Sequence, residues 1–317
     1  MTEKMATRDA YGKALVELGK EQERIVVLDA DLSKSTKTAL FAEAFPGRFY
    51  NVGVSEADMM GTAAGLAASG YIPFASTFGV FATGRAYDQV RNSIAYTRLN
   101  VKIAATHTGL TVGEDGASHQ TLEDLALMRV LPNMTVIVPA DGNQARQAVR
   151  AAVRHEGPVY LRLGRPKVPQ IIGEDFPFEL GRGQMLNEGK DLTYITTGIM
   201  TAMALEAAEE LKAQGVNASV VNIHTIKPLD ESLLVQAARE TGAVVTAEEH
   251  SILGGLGGAV AEVLSQECPV PLIRIGVKDS FGESGNPDAL LEKYGLTARN
   301  LVQAGHAVLE KKAKCCQ

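Results

Sequence analysis

One glutamate and two histidines carry most of the chemical promise of this sequence. Glu56 stands in NVGVSEADMMGTAAGLA (51–67), after a β-rich run and at the start of a helical pattern of small, apolar residues. In an open parallel sheet, ligands bind beyond the C-terminal ends of the strands. Taken alone, Ser55 reads as the helix N-cap and Glu56 as an acid favoured by the positive helix end. The apolar helix that follows implies burial, and a buried carboxylate has a partner or a task. His107 and His119 flank a loop in THTGLTVGEDGASHQTLEDLALMR (106–129) that also holds Gly109, Gly113, Gly116, Glu114 and Asp115. The glycines allow sharp turns and close approach of a ligand, while His and Asp exchange hydrogen bonds and protons with hydroxyls. No His-x-x-x-His pair is present and the cysteines lie elsewhere, so a metal centre is disfavoured in this chain.

Two further groups are weaker alone. Phe78 and Phe81 in STFGVFATGRAYDQVR (76–91) read as a core pair unless a flat ring stacks on them. Arg8, Arg162, Arg165 and Lys167 read singly as solvated surface, yet arginines at strand ends can fork onto a phosphate. In EEHSILGGLGGAV (248–260) the glycines lack the G-x-G-x-x-G spacing of a dinucleotide site and serve strand–helix packing or an interface.

The elements that must position these groups follow from periodicity. β-rich runs at 24–30, 48–54, 71–77, 101–106, 134–140 and 158–164 alternate with helical patterns at 6–20, 36–45, 56–69, 82–97, 120–130 and 141–155. Such alternation predicts parallel strands with helical crossovers, and strands apolar on both faces require a covered sheet. The rhythm breaks over 164–191, where three prolines and several glycines show no period. It resumes with strands at 192–198, 217–223, 243–248 and 271–277 and helices near 200–214, 231–241, 254–266 and 297–311. The expectation is an α/β protein of two domains, each a mostly parallel sheet flanked by helices: residues 1–165, a linker at 166–191, and a second domain at 192–317.

Composition narrows the class. With 317 residues, 45% hydrophobic and 21% charged, the chain can bury a large core. A net charge of −6 argues against a nucleic-acid partner. Three cysteines, Cys268, Cys315 and Cys316, do not make a disulfide framework and read as free thiols in a reducing compartment. No secretory signal is visible. The 26 uncharged residues at 59–84 are long enough to span a bilayer, but Pro73 and the many Gly, Ala, Ser and Thr predict buried elements of a cytoplasmic protein with no membrane partner.

The ordered set ATRDAYGKAL, DADLSKST, GVSEADMMGTAAGLA, ASTFGVFATGRAYDQVRNS, GEDGASHQTLEDLALMR, EEHSILGGLG and FGESG resembles the C-terminal half of transketolase, its pyrimidine-binding domain plus its C-terminal domain. The resemblance spans essentially the whole chain and is closest to the second subunit of a split transketolase. It implies thiamine diphosphate as cofactor. In that family a glutamate bonded to the pyrimidine N1′ favours the imino tautomer that takes the thiazolium C2 proton, and a dry pocket strengthens the coupling. Glu56 matches that glutamate, Phe78 and Phe81 the aromatics that pack on the aminopyrimidine, and Asp31 an aspartate near the cofactor. Asp115 and His119 match contacts to sugar hydroxyls; His107, Ser35, Arg8 and Arg165 match groups holding a sugar phosphate.

The departures are informative. Ser55-Glu56-Ala57 stands where long-chain transketolases have Arg-Glu-His, as in the pyrimidine-binding subunit of 2-oxo-acid dehydrogenases, and Gly84 replaces a third aromatic. The family's Gly-Asp-Gly diphosphate and metal signature with its later Asn is missing. The resemblance therefore implies half an active site: Mg2+ or Ca2+ and the diphosphate are held mainly by an N-terminal partner subunit, in an α2β2 heterotetramer in which this chain dimerises. The implied reaction moves a two-carbon ketol unit from a ketose phosphate to an aldose phosphate of the pentose phosphate type. Alternatives are the 2-oxo-acid dehydrogenase subunit, a split relative of 1-deoxyxylulose-5-phosphate synthase, a transketolase for an unusual sugar such as a sulfosugar, and a non-catalytic assembly subunit.

Overall fold

The computed structural model describes residues 3–315, so Cys316 lies outside them. Cys268 and Cys315 are free thiols. The strands are β1 (Lys4–Ala6), β2 (Ile25–Asp29), β3 (Phe49–Asn51), β4 (Ile72–Phe78), β5 (Lys102–Thr106), β6 (Thr135–Ile137), β7 (Val159–Arg162), β8 (Lys167–Pro169), β9 (Gln184–Asn187), β10 (Leu192–Thr196), β11 (Ala218–Asn222), β12 (Thr225–Lys227), β13 (Val244–Ser251) and β14 (Leu272–Val277).

They form two sheets and a small antiparallel pair, β1–β8. The first sheet runs β12-β6-β7-β5-β4-β2-β3, parallel except at β12. The second runs β14-β13-β10-β11-β9, parallel except at β9. The α/β class and the two mostly parallel sheets match the sequence pattern.

Three features lie beyond it. The irregular stretch at 166–191 contains β8 and β9, and β9 extends the second sheet. The first sheet is completed by β12, which the chain supplies only after β11. These strands are three or four residues long and contain Pro, Lys or Gln, too short to show alternation. The helical stretch expected at 82–97 is wound in π-helical turns at Phe81–Arg85 and Val90–Ala95 around Tyr87–Gln89. Such turns are uncommon and concentrate at functional sites.

Apolar burial on both faces explains the layers. Helices Thr7–Glu21 and Gly142–Arg154 cover one face through Tyr11, Leu15, Ala148 and Val149. Helix Glu56–Ala68 covers the other with Met59, Met60 and Ala63. That core runs on through Val136 and Val138 to Val221, Leu234 and Leu264, joining the two sheets in one apolar cluster. The glycines of 248–260 act in packing: a Cβ on Gly255 would come within 2.0 Å of the Glu248 carboxylate, which accepts hydrogen bonds from the amides of Leu256 and Gly257, both at 2.7 Å.

Asp141 fastens the irregular segment to the first sheet. It caps helix Gly142–Arg154, accepting from the Gln144 amide at 2.8 Å, while its other oxygen accepts from the amides of Ile171 and Ile172, both at 2.7 Å. Removing it loses a cap and orphans two further donors. Asp141→Ala is expected to destabilise the chain by about 2–3 kcal/mol; an unchanged urea unfolding midpoint would contradict this account.

Candidate active site

Because β2, β3, β4, β5 and β7 are mutually parallel, their C-terminal ends share one edge. Ser35 follows β2, Glu56 follows β3, Phe78 ends β4, His107 follows β5 and Arg165 follows β7. Arg8 reaches them from the first turn of helix Thr7–Glu21.

The contacts are direct. Phe78 and Phe81 lie nearly parallel, 14° apart, with ring centroids separated by 5.9 Å. Phe78 stacks on His107 at 3.9 Å, and His119 presents its edge to both phenylalanines at 6.2 and 5.5 Å. Arg8 donates to His107 Nε2 at 2.9 Å and to the Ser35 carbonyl at 3.1 Å. Arg165 donates to the Val112 carbonyl and lies 3.3 Å from Glu114 and 3.7 Å from Asp115. Glu56 is 5% exposed; one carboxylate oxygen accepts from Arg85 at 3.2 Å and the other has no hydrogen-bond partner among the described residues. The Arg85 guanidinium also covers the Phe81 ring at 4.1 Å, tying Glu56 to the aromatic pair. Ser55 makes no side-chain cap, contrary to its expected role.

Asp31 makes its side-chain hydrogen bond with Asn51, on the same edge. It has a left-handed backbone (φ 63°), and its amide donates to the Asn51 side chain. Arg162 differs from expectation. Rather than facing a ligand, it forks onto buried Asp124 at 2.7 and 3.1 Å. Burial alone would raise the Asp124 carboxyl, but the Arg162 guanidinium outweighs it and holds it below its usual range. Lys167 is an exposed residue of β8.

Sequence reasoning missed two organising residues. Arg85 lies inside a motif already singled out, but its partner Glu56 is 29 positions away. Asp29 ends β2 in full burial and accepts from the Leu32 amide and Thr36 hydroxyl at 2.6 Å and the Thr38 hydroxyl at 2.8 Å, shaping the turn that carries Asp31 and Ser35. The only sequence signal was an aspartate at a strand end followed by two threonines. Burial raises its carboxyl above the usual value despite those three donors.

The hydrogen bonds assign the His107 tautomer. Arginine only donates, so Nε2 accepts from Arg8 and Nδ1 carries the proton, donating to the Thr106 hydroxyl at 2.9 Å. Burial, then Arg8 and Arg165, push His107 down to about 3. Burial also lowers Arg8 from its ordinary value, only partly offset by Asp9. The ring is therefore a neutral acceptor that holds Arg8 in place. Among the described residues, no group of three or more His, Cys, Asp or Glu side chains is arranged to hold a metal ion, and no helix is long and apolar enough to cross a membrane.

Nearly parallel aromatic rings thus stand beside a buried carboxylate, with Arg8 joined to them through His107. The chain belongs to the transketolase family: residues 3–170 match the transketolase pyrimidine-binding domain and 181–301 the transketolase C-terminal domain. It is 50% identical over 305 residues to a 6-deoxy-6-sulfo-D-fructose transketolase subunit of Clostridium sp. (strain MSTE9), covering 96% of this chain and 95% of that one. It is 51% identical over 299 residues to a putative transketolase C-terminal section of Methanocaldococcus jannaschii, covering 93% and 94%. Among solved structures, a split-gene transketolase described as an inactive β4 tetramer superposes with a TM-score of 0.92 at 63% identity, covering 97% of this chain and 99% of that one. The chain is thus a transketolase-type transferase subunit, and the family implies thiamine diphosphate.

Its residues fit that group. Glu56, a buried residue, keeps one carboxylate oxygen free of hydrogen bonds for a ring nitrogen, and Phe78 and Phe81 offer an apolar surface for a flat ring.

The sign of the His107 shift can be tested. Its pKa in the folded chain lies below the unfolded value of about 6.5, so the unfolded chain binds more protons as pH falls below that value. The share of stability from neutral His107 is present above that pH and is lost progressively towards acid. Imidazole NMR resonances of His107 are expected to show no titration between about pH 5.5 and 8; a midpoint inside that window would contradict the strong downward shift.

Proposed function

We propose that this chain is the C-terminal subunit of a thiamine-diphosphate-dependent transketolase that moves a two-carbon ketol unit from a ketose phosphate to an aldose phosphate. The observation that carries the reading is the buried Glu56, linked through Arg85 to the Phe78–Phe81 wall on the same edge as Arg8, His107 and Arg165. When bound, thiamine diphosphate supplies the acidic carbon that becomes the nucleophile. Glu56 holds the pyrimidine N1′, and its dry setting strengthens that bond. Phe78 and Phe81 pack on the ring, and Asp31 lies beside the cofactor site. Arg8, Ser35, His107 and Arg165 hold the substrate phosphate, while Asp115 and His119 orient and exchange protons with sugar hydroxyls. The diphosphate and its Mg2+ or Ca2+ belong to an N-terminal partner subunit. The assembly is a cytoplasmic α2β2 heterotetramer dimerised through this chain. Within the chain, residues 1–165 form the pyrimidine-binding domain and 192–317 the C-terminal domain, joined by 166–191.

A second reading rests on the Clostridium relative, named for a sulfosugar. A sulfonate is an anion that arginine forks onto as it does onto phosphate, so the same cluster fits a substrate ending in either.

Mixing experiments test the first reading. Ketol transfer from xylulose 5-phosphate to ribose 5-phosphate is expected only when the chain is combined with its partner subunit, thiamine diphosphate and magnesium. Transfer from 6-deoxy-6-sulfofructose alone would select the second. Glu56→Gln is expected to lower kcat by about a hundredfold or more with the fold intact; wild-type turnover would remove Glu56 from the mechanism. Arg165→Ala is expected to raise KM for phosphorylated donors by about tenfold and much less for unphosphorylated ones; equal effects would remove its role at the phosphate.

A further inference from the structure

Glu249 is a buried acid of the second domain to which the reading above gives no task. Its carboxylate crosses to the first domain and accepts the Thr111 amide at 2.6 Å. Thr111 lies in the loop between His107 and His119, in the turn Leu110–Asp115 that carries Asp115. Gly109 makes the contact possible: it is left-handed (φ 79°), and a Cβ there would come within 2.3 Å of the Glu249 carboxyl carbon.

The carboxylate is anchored from behind. The Glu249 carbonyl accepts from Arg162 at 3.0 Å, and Arg162 is fixed by Asp124, which also accepts from the Tyr160 hydroxyl at 2.7 Å. Other groups of the second domain hold the rest of the loop. The Ser251 amide donates to the Leu122 carbonyl at 2.7 Å, Gln120 donates to the Glu283 carbonyl at 2.9 Å, and the Ser284 hydroxyl donates to the Glu114 carbonyl at 2.6 Å. Glu249 makes the one contact among these in which a buried side-chain carboxyl accepts from a backbone amide of the loop, and burial raises that carboxyl to about 7.

We propose that Glu249 is a positioning residue of the active site: by gripping the Thr111 amide from the second domain, it sets the loop that aims Asp115 and His119. The proposal rests on the transketolase reading for its kinetic consequence but not for its structural one. A misplacement of about 1 Å in such a loop costs about a hundredfold in rate. The second domain then acts in substrate recognition through the strand that carries Glu249.

The discriminating variants are Glu249→Leu, which keeps bulk but removes the acceptor, and Glu249→Gln, whose amide oxygen can still accept. In the isolated chain, hydrogen–deuterium exchange across 109–115 is expected to quicken by about tenfold or more in Glu249→Leu and to stay near wild type in Glu249→Gln. In the enzyme assembled with its partner, kcat/KM is expected to fall by about tenfold to a hundredfold in Glu249→Leu, with thiamine diphosphate affinity unchanged, and to be largely restored by Gln. Gly109→Ala reaches the same contact from the loop side and is expected to reproduce the pattern should Glu249→Leu not fold. Glu248→Gln, on the same strand, controls for burial: it is expected to lower Tm without quickening exchange at 109–115. Unchanged loop exchange in Glu249→Leu and Gly109→Ala overturns the proposal, as does quickened exchange with wild-type kcat/KM. Absence of ketol transfer in the wild-type assembly would instead overturn the transketolase reading, and loop exchange would still decide whether Glu249 holds the loop.

Discussion

Parallel strands all end on the same side, and most of the site's geometry descends from that constraint. Hydrogen bonding in parallel register brings β2, β3, β4, β5 and β7 to one edge. Residues as distant in sequence as Ser35 and Arg165 thereby become neighbours of one cluster. The helices on both faces bury the sheet's apolar surface and also aim groups inward, Arg8 from one face and Glu56 from the other. At the edge the backbone departs from regular geometry: His107 and Asp31 adopt left-handed conformations and the 81–95 segment winds into π turns. Such departures are held by neighbours. The Arg8–His107–Thr106 chain holds His107, and Asn51 holds Asp31.

The electrostatics of the cluster are one-sided. Arg8 and Arg165 face a histidine held neutral, and the acids that offset them, Glu114 and Asp115, stand at the more exposed rim. Glu56 sits across the aromatic pair with a single cationic partner. A cationic end and an acid-bearing end thus stand on either side of an apolar aromatic pair.

Much of this was legible in the sequence, for physical reasons. Long apolar strands and amphipathic helices carry strong periodic signals, so eleven-residue helix Glu231–Thr241 fell where the pattern put it. Glu56, Phe78, Phe81 and the His107–His119 loop stood out because polar or aromatic residues interrupt apolar or glycine-rich runs. What stayed hidden depends on pairs distant in sequence. Arg85 gives no sign of reaching Glu56, Arg162 reads as a surface cation until Asp124 is seen beside it, and Glu249 reads as part of a strand until Thr111 arrives from 138 residues away. The short strands β8, β9 and β12 were illegible because three or four residues hold no period; their partners create them.

The path of β12 bears on how such a protein can be divided. The strand comes from the second half of the chain, yet it closes the edge of the first sheet against β6. Parting the two pieces of a polypeptide cut between β8 and β12 would bare that edge and divide the continuous core linking Val136 to Leu234. Gene fission inside this unit is therefore costly, whereas a break ahead of β1 leaves both sheets whole. The fold treats the two domains as one heritable module, and recombination that shuffles transketolase parts should respect that seam.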